Sequence, residues 1–156
     1  IAAYFDTVSP RSLVSHLVLV NPLLHNILAN TTRFASYVNI GCCSYWMDYY
    51  VLSLYWRLYV AKLSPGQQAN TTYLNLMAPN STIYERLPAT TVITAQYSPL
   101  VDENVAFFEH ISNTSRGHLH QLLNIPLAFH SFLDNGKDQR SRDLAIQLIS
   151  RRLGTQ

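Results

Sequence analysis

The chain has 156 residues, which suits one domain with a substantial core, 1–156. Charged residues make up 13%, about half the usual ~25%, while hydrophobic residues reach an ordinary 48%. A net charge of +2 with scattered basic residues excludes a strong field toward nucleic acid, and so little charge asks for another surface cover, whether neutral polar groups, glycans, a protein partner or lipid.

No signal or transit pattern is visible at Ile1, and numbering can begin after processing, so this decides nothing. Ser9-Pro10 pairs an N-cap serine with proline at a first helical position. Leu13, Leu17, Val20, Leu24 and Ile27 continue a helical stripe. Asn21-Pro22 repeats the start signal, so a kinked N-terminal helix ending near Asn30 is expected.

Phe34–Ile40 alternates like a strand. Cys42 and Cys43 are adjacent and bridge each other only under backbone strain. Two buried thiols is the plain reading, and intermolecular disulfides the sharper one. In Tyr49–Val60 the even positions Tyr50, Leu52, Leu54, Trp56, Leu58 and Val60 are all apolar. That period of two favours a half-buried strand, because a helix here would be apolar nearly all round. A membrane span through 40–60 would carry Asp48 at a cost of about 2.5–3.5 kcal/mol, so lipid is the weaker expectation.

Thr71–Met77, Thr82–Leu87 and Thr90–Tyr97 are short β-prone runs separated by Pro79-Asn80 and Pro88. They suggest an antiparallel meander. Ser98-Pro99 opens a helix, with Asp102 and Glu103 as charge at its positive end and Val101, Val105, Phe108 and Ile111 as its buried stripe. A short helix through Leu119, Leu122 and Leu123 follows, and Pro126 starts another turn or two. The last helix runs from about Lys137 to Leu153, with Ile146, Ile149 and Leu153 inward and Gly154 as C-cap.

The most informative motif is Asn-x-Ser/Thr, which occurs at Asn30, Asn70, Asn80 and Asn113, all in expected loops or element ends. Glycans there would solubilise an uncharged surface. Tyr45, Trp46, Tyr49, Tyr55, Trp56 and Tyr59 form the second signal, core or protein interface. The third is histidine: His110, His118, His120 and His130 fall in one stretch that could sense pH. They lack zinc-site spacing, since residues two apart on a helix diverge by about 200°.

No G-x-S-x-G elbow, phosphate-cradling loop or dinucleotide fingerprint occurs. A thiol nucleophile at Cys42 or Cys43 with a distant histidine is conceivable on residue types alone.

The expected fold is therefore α+β: a kinked N-terminal helix, a central antiparallel sheet, and C-terminal helices on one face, with an all-α bundle as alternative. Three functional readings stand. The first is a non-enzymatic glycoprotein module, secreted or on a cell or virion surface, acting through protein–protein contacts or as a homo-oligomer. The second is a subunit of a larger assembly, such as a viral coat or a membrane-bound complex, and the third is a small histidine- or metal-dependent hydrolase. No cofactor is expected.

Overall fold

The computed structural model describes residues 14–25, 33–40, 47–64, 67–68, 76–77, 82–114, 117–134 and 138–154. Among the described residues, three strands form one sheet in the order β1 (His16–Val20), β2 (Ala89–Tyr97), β3 (Gln121–Phe129). Both pairs are parallel: Leu19 sits beside Val92, and Val92 beside Leu122. The helices are α1 (Ala35–Asn39), α2 (Tyr49–Tyr59), α3 (Val101–Ser112) and α4 (Gln139–Leu153).

The expected antiparallel sheet, and with it the α+β class, is thus wrong, and so is the all-α alternative. The physical reason lies in β2, where every residue from Thr90 to Ala95 is buried. A strand covered on both faces belongs to a parallel sheet between helical layers. Parallel neighbours also need long crossovers, and α3 supplies the one between β2 and β3.

The two faces carry separate cores. Val92 packs with Leu52, Trp56, Tyr84, Leu100, Phe107 and Ile111, so α2 and α3 cover one face. Ile93 and Ala95 pack with Ile125, Ala128, Phe132 and Ala145, so α4 covers the other.

Several local expectations change accordingly. The N-terminal helix is replaced at 16–20 by β1, while its Ser9-Pro10 start lies outside the described residues. Phe34–Ile40 is the short α1 rather than a strand, and Thr82–Arg86 is a 3-10 helix. Of Thr71–Met77 only 76–77 are described, in a turn. The helices expected around Leu119–Leu123 and Pro126 are replaced by a 3-10 turn at Gly117–Leu119 and then β3. Proline is tolerated because β3 lies at the edge of the sheet in this strand order.

The aromatic run is a helix, not a strand. Leu52, Trp56 and Val60 are buried at helical spacing. Asp48, a liability in a membrane span, is the N-cap: its carboxylate accepts the Val51 N–H at 2.8 Å. Tyr50, Leu54, Tyr55, Leu58 and Tyr59 remain exposed on the far side.

On α3 the buried set is Glu103, Asn104, Phe107 and Ile111, so of the expected stripe only Ile111 is fully covered, while Val101, Val105 and Phe108 are half-buried. The last helix closes on Gly154 as expected, at φ 72°. Its inward face is Ser141 and Ala145 with Leu148 and Ile149, while Ile146 and Leu153 are exposed.

Asp48→Ala is expected to lower the unfolding free energy by about 1 kcal/mol, through loss of the α2 cap. It should read as a lower urea midpoint at unchanged slope. Asp48→Asn should retain most of the stability.

Candidate functional site

In open parallel sheets, ligands bind beyond the carboxyl ends of the strands. Two polar residues meet there. Ser98 directly follows β2 and His130 directly follows β3. The Ser98 Oγ and His130 Nδ1 lie 2.9 Å apart in a hydrogen bond. The Ser98 hydroxyl also accepts the Leu100 N–H at 3.1 Å, and its side chain is fully buried.

The chain reaches this geometry through an irregular β3. Between Ala95↔Ile125 and Tyr97↔Phe129, β3 advances four residues while β2 advances two. That bulge includes Pro126, which has no N–H for the ladder. The side chain of Gln96 compensates by accepting the Leu127 N–H at 2.8 Å. Leu127 (φ 61°) and Ser131 (φ 63°) adopt left-handed conformations on either side of His130. Such backbone is costly for residues other than glycine and recurs at functional sites.

Burial alone lowers the His130 pKa from 6.5. The rings of Tyr97 and Phe129 are 5.3 Å apart and partly exposed, forming an apolar margin one residue from each partner.

A second polar centre stands behind the first. Glu103, on the first turn of α3, is fully buried. Its Oε1 accepts the N–H groups of Leu24 and of His25, the latter at 2.5 Å, and its Oε2 accepts the Tyr37 hydroxyl at 2.5 Å. Burial pushes the Glu103 pKa up to about 7, against the pull of those hydrogen bonds. The same burial, with the Glu103 charge, raises the Tyr37 pKa. Asp102 accepts the Ser36 N–H at 2.8 Å, and Ser36 donates its hydroxyl to the Pro99 carbonyl at 2.6 Å. The segment bearing Ser98 is therefore tied to α1.

The four histidines do not form a cluster. His130 is at the carboxyl end of β3 and His120 is buried at its other end, roughly 30 Å away by strand rise. His110 is exposed on α3, with its ring 4.2 Å from that of Tyr84. His118 lies in the 3-10 turn and its side chain is outside the described set. Among the described residues no three His, Cys, Asp or Glu side chains converge as metal ligands.

Of the aromatic set, Trp56 is core, Tyr49 half-buried, and Tyr55 and Tyr59 exposed. Tyr45 and Trp46 fall outside the described residues, as do Cys42, Cys43, Asn30, Asn70 and Asn80. Asn113 is the C-cap of α3. No described helix is long and apolar enough to cross a membrane.

Sequence reasoning took Ser98 for a helix cap and Glu103 for helix-start charge. A serine closing a β-prone run, with a histidine farther along, was the available signal. It became legible only once 121–129 was seen to be a parallel strand.

Comparison with known proteins agrees with this architecture. A family model described as alpha/beta hydrolase fold matches residues 3–134. No curated protein matches the chain. Among solved structures the chain is similar to an esterase of Pyrobaculum calidifontis, with TM-score 0.72 and 22% identity, over 96% of this chain and 45% of that one. It is also similar to the Francisella virulence factor BioJ, with TM-score 0.57 and 16% identity, over 96% of this chain and 48% of that one. The chain thus spans less than half the length of either structure. The family match overturns the description of the chain as a glycoprotein, viral-surface or interaction module, and it agrees with the hydrolase reading.

Glu103 gives the stability a pH dependence. Its folded pKa of about 7 lies above the ordinary 4.5, so the folded state binds the proton more tightly. That contribution is fully present below 4.5 and is lost as pH rises through about 7. Urea unfolding across this range is expected to show roughly 3 kcal/mol of loss from this group. Glu103→Gln should flatten the slope.

Proposed function

Because this chain belongs to the alpha/beta hydrolase fold family, we propose that it carries the histidine part of a carboxylic-ester hydrolase site, with His130 as the general base. The observation that carries the reading is the Ser98–His130 hydrogen bond at the carboxyl ends of β2 and β3. In hydrolases of this fold the partners follow in the chain order nucleophile, orienting residue, histidine. Ser98 and His130 keep the order of the last two. The likeness to a solved esterase points to esters as the substrate class.

The 156 residues contain no G-x-S-x-G. The nucleophilic serine and the donors of the oxyanion hole are accordingly assigned to protein outside this chain, in keeping with its covering 45% of the esterase.

In the proposed reaction, the nucleophile's oxygen bonds to the ester carbonyl carbon while its proton passes to His130 Nε2. His130⁺ then gives that proton to the departing alkoxide as the ester C–O bond breaks. Water hydrolyses the acyl-enzyme by the same two proton transfers, releasing the carboxylic acid.

The test is hydrolysis of short-chain nitrophenyl esters by the intact protein that contains this chain. His130→Ala should lower kcat/KM by about 10³-fold or more. Asp143→Ala, in an exposed ion pair with Arg142, should leave it unchanged. Since the base works unprotonated and its pKa is lowered from 6.5, kcat/KM should rise with pH and reach half its plateau below 6.5. Full activity in the His130→Ala protein, or none in the unaltered protein, would overturn the assignment.

A further inference from the structure

A triad histidine is usually held at Nδ1 by a carboxylate, which can only accept a hydrogen bond. That partner does two things: it forces the proton onto Nδ1, leaving Nε2 free as base, and it stabilises the imidazolium formed during reaction. In this chain the Nδ1 partner is the Ser98 hydroxyl.

Among the described residues, the acidic groups on the surrounding elements are turned elsewhere. On α3, Asp102 takes the Ser36 N–H and Glu103 takes Leu24, His25 and Tyr37. Asp138 caps α4 by accepting the Ser141 N–H, and Asp134, in the turn after His130, is exposed.

We infer that Ser98 is a neutral positioning residue for His130, one that orients the ring but neither holds its proton on Nδ1 nor stabilises its charge. This rests on His130 being the base of the proposed site. A hydroxyl both donates and accepts. When Ser98 donates to Nδ1, the ring proton sits on Nε2, and the nitrogen facing the substrate cannot act as base. When Nδ1–H donates to Ser98, Nε2 is free. The two arrangements share one geometry, but because the Leu100 N–H already donates to the buried hydroxyl, the first is the one in which the hydroxyl hydrogen also has an acceptor among the described residues.

The chemical consequence concerns the substrate. With no charge from a described residue beside the imidazolium, His130 is the weaker base, so it is the first proton transfer, from the nucleophile's hydroxyl, that loses help, not the second, from the more acidic imidazolium to the departing oxygen. The site therefore favours esters whose carbonyl is electrophilic enough to be attacked with little base assistance, such as aryl esters, over simple alkyl esters. The drop in the His130 pKa through burial accords with a ring that has no anionic partner.

The experiment uses Ser98→Asp and Ser98→Ala in the intact protein, with ¹⁵N-labelled histidine followed by NMR and with paired aryl and alkyl ester assays. In the unaltered protein neutral His130 should carry its proton chiefly on Nε2. Ser98→Asp should place the proton on Nδ1 and raise the His130 pKa by about 1–3 units, the usual effect of an adjacent opposite charge. It should also raise alkyl-ester kcat/KM about tenfold more than aryl-ester kcat/KM. Ser98→Ala, which a small buried site tolerates, should release the ring from one orientation, broadening its signals.

A neutral His130 protonated on Nδ1 alone in the unaltered protein would overturn the inference. So would a Ser98→Ala spectrum identical to it. NMR behaviour as expected with no hydrolysis by any form would instead refute the esterase reading while leaving the role of Ser98 intact.

Discussion

A single buried carboxylate organises the carboxyl end of this sheet. Glu103 lies at the start of α3, and three donors from two other segments converge on it: the N–H groups of Leu24 and His25 after β1, and the hydroxyl of Tyr37 on α1. An unpartnered carboxylate at that depth would cost several kcal/mol, so the donors must be in place for the chain to fold this way. Asp102 and Ser36 add a second set of bonds between the same helices, reaching back to the Pro99 carbonyl. Ser98 immediately precedes this knot. Its orientation is set by structure rather than by chemistry of its own.

The other half of the site depends on irregular backbone. A regular β3 would carry His130 along the strand direction in step with its neighbour. The two extra residues between Ile125 and Phe129, with Leu127 and Ser131 in left-handed conformations, re-aim the chain so that the imidazole meets Ser98. Pro126 and the Gln96 side chain make the bulge locally satisfied: one removes a donor from the ladder and the other accepts the N–H that the ladder leaves over. Rigid sheet on one side and a defined kink on the other form an ordinary arrangement for presenting a reactive side chain.

The sparse charge of the chain acquires a structural meaning. Among the described residues, Asp138 caps α4, Asp102 and Glu103 accept bonds from other segments, and the Nδ1 partner of His130 is a serine hydroxyl. The exposed face of α2, with Tyr50, Leu54, Tyr55, Leu58 and Tyr59, is where the low charge shows on the surface. The inward residues of that helix, Leu52 and Trp56, are what hold it to the sheet.

Helix ends were legible in the sequence because their signals are local. Gly154 as C-cap, the basic last turn of α4 and the helix following Ser98-Pro99 all depend on neighbours within one turn. The run Thr90–Tyr97 was legible as a strand for the same reason, since β-branched residues prefer extended backbone wherever they are paired. Strand direction was not. Whether Ala89–Tyr97 pairs in parallel with His16–Val20 is decided across 68 intervening residues, from Asn21 to Pro88, by which apolar faces find cover. In the same way, the period-two pattern of Tyr49–Val60 yielded to a helix because Leu52, Trp56 and Val60 could be buried together against α3 and β2. The amino-acid order alone determined the composition, the caps and the candidates, His130 among them. Only the tertiary structure decided that His130 meets Ser98 and that Glu103 is a buried acceptor, because both depend on contacts between residues 32 or more positions apart, which no local propensity encodes.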